Sequence, residues 1–312
     1  MKEEQIKIYV NNNPKCNVKL YSVVKKEEWV LENKPYIQIY GSKFANEEIT
    51  VLIRINEDKI YESQITPKHN SFEVRAELNE LIKKDSIICI EINESIFNFA
   101  PKFIKVSGIV KYIDGTPVEK PIINFTSKDV AIIGDEKGNY EMILSEKEEQ
   151  IGIFDKGYSE NTLEVWLNEL DLHEDRNIDF VIDKLELYRI NMWSGEQSDY
   201  IHFIPMSVTR VNKVMSKGYS SELEIMKDSE VWTKLERKDV KAYVDDKELI
   251  ILSFSEVEDF LFEIEGTTYS RPGYVLSIPK LDKNKLVKIE IKSEVEYQDK
   301  VVKEYGQGYV YW

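Results

Sequence analysis

Residues 106–158 read VSGIVKYIDGTPVEKPIINFTSKDVAIIGDEKGNYEMILSEKEEQIGIFDKGY. VSGIVKY alternates apolar with small or polar residues, the spacing of a strand. Asp114-Gly115-Thr116-Pro117 follows as a turn, because Gly accepts positive φ and Pro fixes its own φ. A second apolar run covers 121–125. Gly134-Asp135-Glu136-Lys137-Gly138-Asn139 forms another turn before the strand Tyr140-Met142-Leu144. The stretch closes with the strand 151–154 and Gly157-Tyr158.

The order strand, D-G-x-P-V, strand, D-x-x-G-x-Y, strand, G-Y resembles the carboxypeptidase regulatory-like domain, a small transthyretin-type β-sandwich. The residues that carry the likeness are Val106, Gly108, Val110, Asp114, Gly115, Pro117, Val118, Asp135, Gly138, Tyr140, Gly157 and Tyr158. Pro121-Ile122 departs from the small residue usual there. The resemblance implies a seven-stranded sandwich that continues to about residue 187. It implies no reaction, since such modules serve as spacers, stalks and interaction domains.

Working outward, 312 residues predict two or three domains. Eighteen Tyr and twelve Phe, with recurrent Ile and Val, favour strands. Residues 1–104 read as a first β-domain with strands at 6–10, 18–24, 36–40, 49–55, 59–65, 72–76 and 87–92, and the layout of strand, turn, Tyr, strand, leucine-rich crossing and strand resembles bacterial immunoglobulin-like repeats, which implies an immunoglobulin-like β-sandwich. Asn56-Glu57-Asp58 is a tight turn, and the spacing of Leu78, Leu81 and Ile82 predicts a helical turn over 77–84. In 189–312, FLFEIEGTTYSR (260–271) parallels VLIRINEDKIYES (51–63), and YVLSIPKLDKNKLVKIEI (274–291) parallels 72–92. A second immunoglobulin-like sandwich is expected there, with an N-terminal insertion. Within that insertion, Pro205, the apolar spacing Val208-Val211-Val214-Met215 and the stop at Gly218 predict a helix over 206–217. The expected architecture is therefore all-β: three tandem immunoglobulin-like/transthyretin-like sandwiches divided at 104/105 and 188/189.

The net charge of −15 is uneven. Residues 105–188 hold 9 basic and 19 acidic side chains, or −10 of the total. Such a surface repels phosphate backbones, so nucleic acid is not an expected partner. Cys89 sits in an alternating Ile strand and is expected as a buried thiol; Cys16 and Cys89 show no zinc spacing. The N-terminal MKEEQIKIYVNNN lacks a signal-peptide core, and no apolar run is long enough to span a membrane. The expected location is a virion, spore or cell surface rather than the free cytoplasm.

His69, His173 and His202 stand apart in sequence, without a nucleophile elbow, P-loop, dinucleotide or zinc-protease motif. No catalytic, cofactor-binding or metal residue is assigned. Glu169, Asp171, Glu174, Asp175 and Asp179 crowd one loop without a calcium-loop pattern and read as solvated carboxylates. Trp29, Trp166, Trp193 and Trp232 read as packing residues, with sugar stacking as the alternative. The chain ends in YGQGYVYW, where alternation puts aromatic or apolar groups on both sides of a strand. Tyr309, Tyr311 and Trp312 are therefore the expected contact residues, against the last sandwich or a neighbouring subunit. Together these features point to a non-catalytic structural or adhesive subunit whose partners are other protein subunits. The alternatives are a carbohydrate-binding module protein, with surface carbohydrate as partner, and a hydrolase or accessory domain in 189–238.

Overall fold

The computed structural model describes all residues except 1–4, 14–15, 21–27, 33, 46, 127–129, 146–147, 220 and 265. Strand makes up 59% and helix 7%, so the class is all-β, as expected. The chain divides into two units. One comprises Met1–Val106, Glu141–Lys147 and His173–Arg176; the other comprises Ser107–Tyr140, Glu148–Leu172 and Asn177–Trp312.

The first unit contains β1 (Gln5–Asn11), β2 (Cys16–Leu20), β3 (Glu28–Glu32), β4 (Tyr36–Ser42), β5 (Ile49–Ile55), β6 (Asp58–Ile65), β7 (Ser71–Glu77), β8 (Ile88–Ile92) and β9 (Ser95–Phe99). They form two sheets, β1-β4-β7 and β6-β5-β8-β9, and a β2–β3 hairpin. Alternation chooses what is buried. Ile37, Ile39 and Val74 from one sheet meet Val51, Ile53, Ile88 and Ile90 from the other in a single core. Each such side chain contributes roughly 1.5–3 kcal/mol by leaving water. The same alternation turns Cys89 outward, so the thiol is half-buried rather than in the core. Asn56 and Glu57 both adopt positive φ, the conformation a tight hairpin turn needs.

The helical turn expected over 77–84 is absent. Leu78 and Ile82 are buried there while Leu81 is 42% exposed. The backbone of Ile82 is held by a side chain 70 residues away: Ile82 N donates to Asn12 Oδ1 at 2.8 Å, and Asn12 Nδ2 donates to Ile82 O at 3.0 Å. An amide that imitates a strand neighbour satisfies both backbone groups, and the helix has nothing left to gain.

The central stretch contributes β10 (Ile104–Tyr112), β11 (Ile122–Phe125), β12 (Val130–Ile133), β13 (Asn139–Leu144), β14 (Glu148–Phe154), β15 (Val165–Leu170), β16 (Arg176–Asn177) and β17 (Phe180–Ile182). β13-β10-β16 form one sheet, with β17 also on β10, and β15-β14-β11-β12 run consecutively in another. Val110, Ile123, Ile151, Ile153, Leu167 and Phe180 are fully buried. Tyr140 stacks on Phe180 at 5.5 Å, and its hydroxyl donates to Ile178 O at 2.7 Å. Both turns form as expected. Asp114 Oδ1 accepts from Thr116 N, and Asp135 Oδ1 accepts from Lys137 N and Asn139 N, each at 2.8 Å. The Thr116 bond holds the Asp114 carboxyl below the ordinary Asp range, and the Asn139 side chain, whose Nδ2 donates to Asp135 Oδ2 at 2.9 Å, leads in doing the same for Asp135.

The remaining elements are β18 (Leu185–Ser194), β19 (Ser198–Ser207), α1 (Val208–Met215), α2 (Glu222–Lys227), β20 (Val240–Val244), β21 (Lys247–Glu248), β22 (Ser253–Ile264), β23 (Thr267–Pro279), β24 (Leu286–Tyr297) and β25 (Lys300–Tyr311). α1 lies where the valine spacing predicts it, capped by the Ser207 hydroxyl accepting from Arg210 N at 3.0 Å. One sheet is β18-β19-β23-β22. Facing it across a core that includes Leu187, Phe203, Tyr274, Ile289 and Val310 is β21-β20-β24-β25. The sequence parallel between 72–92 and 274–291 joins equivalent strands, β7–β8 and β23–β24. The other parallel does not: 51–63 spans β5–β6, whose counterpart in strand order is β20–β21, whereas 260–271 lies in β22–β23. Any half-buried hairpin shares the alternation that made them look alike.

The sheet does not stop at β25. Beyond it β15 pairs in parallel, with Trp166 opposite Gly308, Leu167 opposite Tyr309 and Asn168 opposite Val310. The order is thus β21-β20-β24-β25-β15-β14-β11-β12, one continuous sheet within the second unit.

Candidate functional site

β25 is the strand on which the second unit turns, and its sequence explains how. Tyr305, Gln307, Tyr309 and Tyr311 point to one side, Gly306, Gly308 and Val310 to the other. On the glycine side β18 comes close. A Cβ on Gly306 would lie 2.7 Å from the Leu185 backbone oxygen, and one on Gly308 would lie 2.4 Å from Ile190 Cδ1. On the tyrosine side the Tyr309 ring meets Phe180 edge-on at 5.5 Å, and its hydroxyl donates to Asp179 O at 3.1 Å. Tyr309 and Tyr311 are buried; Trp312 is half-buried, with Lys283 Nζ 3.1 Å above its ring and its backbone N–H donating to Lys285 O at 2.8 Å. The three expected contact residues therefore lie against this chain's own second unit.

Buried carboxylates gather beside this strand, and sequence reading missed them. Glu304 is 3% exposed; its Oε1 accepts from Ser207 Oγ at 2.7 Å, and Oε2 has no protein partner. Asp183 accepts from Tyr305 N at 2.8 Å. Glu186 is 6% exposed with an unpartnered Oε2. Burial, aided by the nearby Glu164 charge, pushes its carboxyl up to about 8. Glu304 is also raised by burial. No motif marks these residues. Alternation sets Glu186 on the face opposite Leu185 and Leu187, where an acid reads as solvent-exposed, so the sequence carries no signal for its burial.

A cleft of about 440 Å³ opens nearby, lined by Tyr112, Asp114, Thr162, Asp183, Thr209 and Tyr297 among others. Its groups are engaged. Tyr112 Oη donates to Asp155 Oδ2 at 2.6 Å, and the Asp155 Oδ1 accepts from Thr162 Oγ1 and Gly157 N. Burial and that carboxylate push the Tyr112 phenol well up, so it stays protonated. No histidine lines the cleft.

The histidines do not converge. His69 and His173 are exposed, and His202 is half-buried on β19, its imidazole lowered by burial. The acid whose charge it feels most, Asp259, accepts from Arg271 Nε at 3.0 Å. In the acidic loop Asp175 accepts from Lys105 N and Asp179 from Ile109 N, at 2.9 and 3.0 Å. Glu174 pairs with Arg176 at 2.8 Å, and Glu169 and Asp171 are exposed. Among the described residues no three His, Cys, Asp or Glu side chains are grouped to hold a metal.

Of the tryptophans, Trp166 is buried edge-on to Tyr188 of β18, so it faces that strand rather than the central core alone. Trp232 is half-buried, and the side chain of Trp29 lies outside the described residues. Trp193 is 43% exposed and stacks on its cross-strand neighbour Tyr200 at 5.5 Å and 13°.

No protein-family model matches the chain, and no curated protein matches it. Among solved structures, a Bacteroides uniformis protein described as a "putative carbohydrate binding protein" aligns with 67% of this chain and 99% of its own length. The identity is 10% and the TM-score 0.23, too slight a likeness to argue from. No helix of the described residues is long and apolar enough to cross a membrane.

Proposed function

We propose that the chain is a non-catalytic structural or adhesive subunit of a larger assembly, made of an immunoglobulin-like, a carboxypeptidase regulatory-like and a second immunoglobulin-like sandwich. The observation that carries the reading is β25. A strand that belongs to the sheet of β20 and β24 also hydrogen-bonds β15, joining two sandwiches by backbone pairing rather than by a hinge. Backbone pairing across the joint opposes the relative motion that is the default between domains, which holds the spacing a spacer or stalk requires. Strand order supports the module types. The sheets β1-β4-β7 and β6-β5-β8-β9, and again β18-β19-β23-β22 and β21-β20-β24-β25, follow immunoglobulin-like order. Sheets β13-β10-β16 and β15-β14-β11-β12 suit the transthyretin type.

A phage particle is the first assembly to examine, then spore and cell-surface layers. Size fractionation of material from the producing cell, followed by peptide mass spectrometry, tests this. The chain is expected at constant stoichiometry in a particle or envelope fraction. Recovery only as a free monomer overturns the reading.

The exposed Trp193 favours a second reading, sugar binding. Its stacking on Tyr200 leaves one ring face open at the sheet edge. A glycan array with the full chain and with Trp193→Ala decides it: binding lost in the variant supports it, and no binding by either removes it.

A further inference from the structure

β22 is the outermost strand of its sheet, and one of its edges has no neighbour among the described strands. Its twelve residues, SFSEVEDFLFEI, include no Lys, Arg or Pro. From Ser253 to Phe260 the pairing with β23 is regular, and a bulge interrupts it only beyond Phe260. Long edges are normally blunted by lysine, proline, shortness or bulges, because their free N–H and C=O groups template another strand. Here one bulge protects one end. Large apolar side chains stand exposed at both ends of the regular segment: Ile250 at 71% and Leu252 at 57% before it, Phe260 at 61% at its close.

The charge on the strand selects the occupant. Glu256 accepts from Tyr274 Oη, and Asp259 is taken by Arg271. Glu258 and Glu263 are exposed. Two β22 edges meeting antiparallel about a two-fold at Glu258 would set Glu258 against its own copy, and like charges directly opposite destabilise a pair. A second copy is therefore disfavoured, and a basic strand is favoured.

We propose that the β22 edge takes up an extended segment of a partner protein carrying alternating basic and apolar residues, which adds as a further strand. The inference rests on the assembly reading for its biological sense. Its test is separate, since the chain can fractionate with a particle while this edge stays empty.

The probe is a capped decapeptide of alternating Lys and Val, with alternating Glu and Val as control, added to the full chain. Hydrogen exchange is followed by mass spectrometry over 250–264. The Lys peptide is expected to slow exchange there, and the Glu peptide is not. Glu258→Lys with Glu263→Lys should weaken the Lys peptide about tenfold and gain the Glu peptide, a swap that only a correctly folded variant can show. Unchanged exchange with the Lys peptide, equal protection by both peptides, protection confined to other strands, or an unchanged preference in the variant each overturn the proposal. So does concentration-dependent dimerisation that protects 250–264 without peptide.

Discussion

At the residue scale, Glu186 shows how burial turns an ordinary carboxylate into a pH-dependent term. Its proton is held up to about 8 in the fold, against 4.5 for a free Glu. Below about pH 4.5 the group is neutral in both folded and unfolded chains and costs nothing. As pH rises toward 8 the unfolded chain releases the proton and the folded one keeps it, so stability falls across that window and then levels. Glu186→Gln keeps the shape without the titration. The variant should match the parent at pH 4 and be more stable by about 1–3 kcal/mol at pH 8–9, read from urea midpoints. Parallel pH profiles for the two proteins would refute the assignment. Gly306 and Gly308 make a second test. The Cβ of Gly306→Ala meets Leu185 backbone atoms, which cannot move aside; that of Gly308→Ala first meets Ile190 Cδ1, the end of a side chain. Gly306→Ala should therefore cost the more, on the order of 2–4 kcal/mol, with Gly308→Ala about half of that. Equal melting temperatures for both variants and the parent would mean that the close approach to β18 does not matter.

At the element scale, β25 serves two partners. It pairs with β24 from Leu286↔Tyr311 to Tyr297↔Lys300 and with β15 through Trp166, Leu167 and Asn168. Removing 305–312 deletes the part that does both. It also uncovers Phe180 and the apolar surface of Leu185 and Ile190. Calorimetry of the truncated chain should show the second unit melting more than about 10 °C lower, or not folding. A melting profile identical to the full chain would show the strand to be dispensable.

At the scale of the whole molecule, the shared sheet predicts that the second unit unfolds as a single cooperative body even though it is read as more than one sandwich. Trp166 lies on β15 and Trp193 on β18. Chains that keep only one of these tryptophans, the others being replaced by Phe, should report the same urea midpoint. Two well-separated midpoints would mean that the joint is weak and the modules unfold independently.

Much of this was legible in the chain alone, wherever the cause is local. Alternation of period two marks β5, β7, β8, β10 and β25 because each side chain's face follows from the pleat. Asp114-Gly115 and Asp135 to Gly138 turn because an Asp side chain bonds backbone N–H groups two to four residues on. α1 follows its valine spacing. What the sequence could not determine depends on groups far apart in it. The segment 77–84 has helical spacing but is held open by Asn12. Tyr309 could have met any protein surface; that it meets Phe180 and pairs beside Leu167 is settled by a strand 141 residues earlier, whose Asn168 donates to Tyr309 O. Glu186 and Glu304 look like surface acids in the sequence and become buried ones only when β18 and β25 pack, because desolvation belongs to the assembled structure and not to the residue.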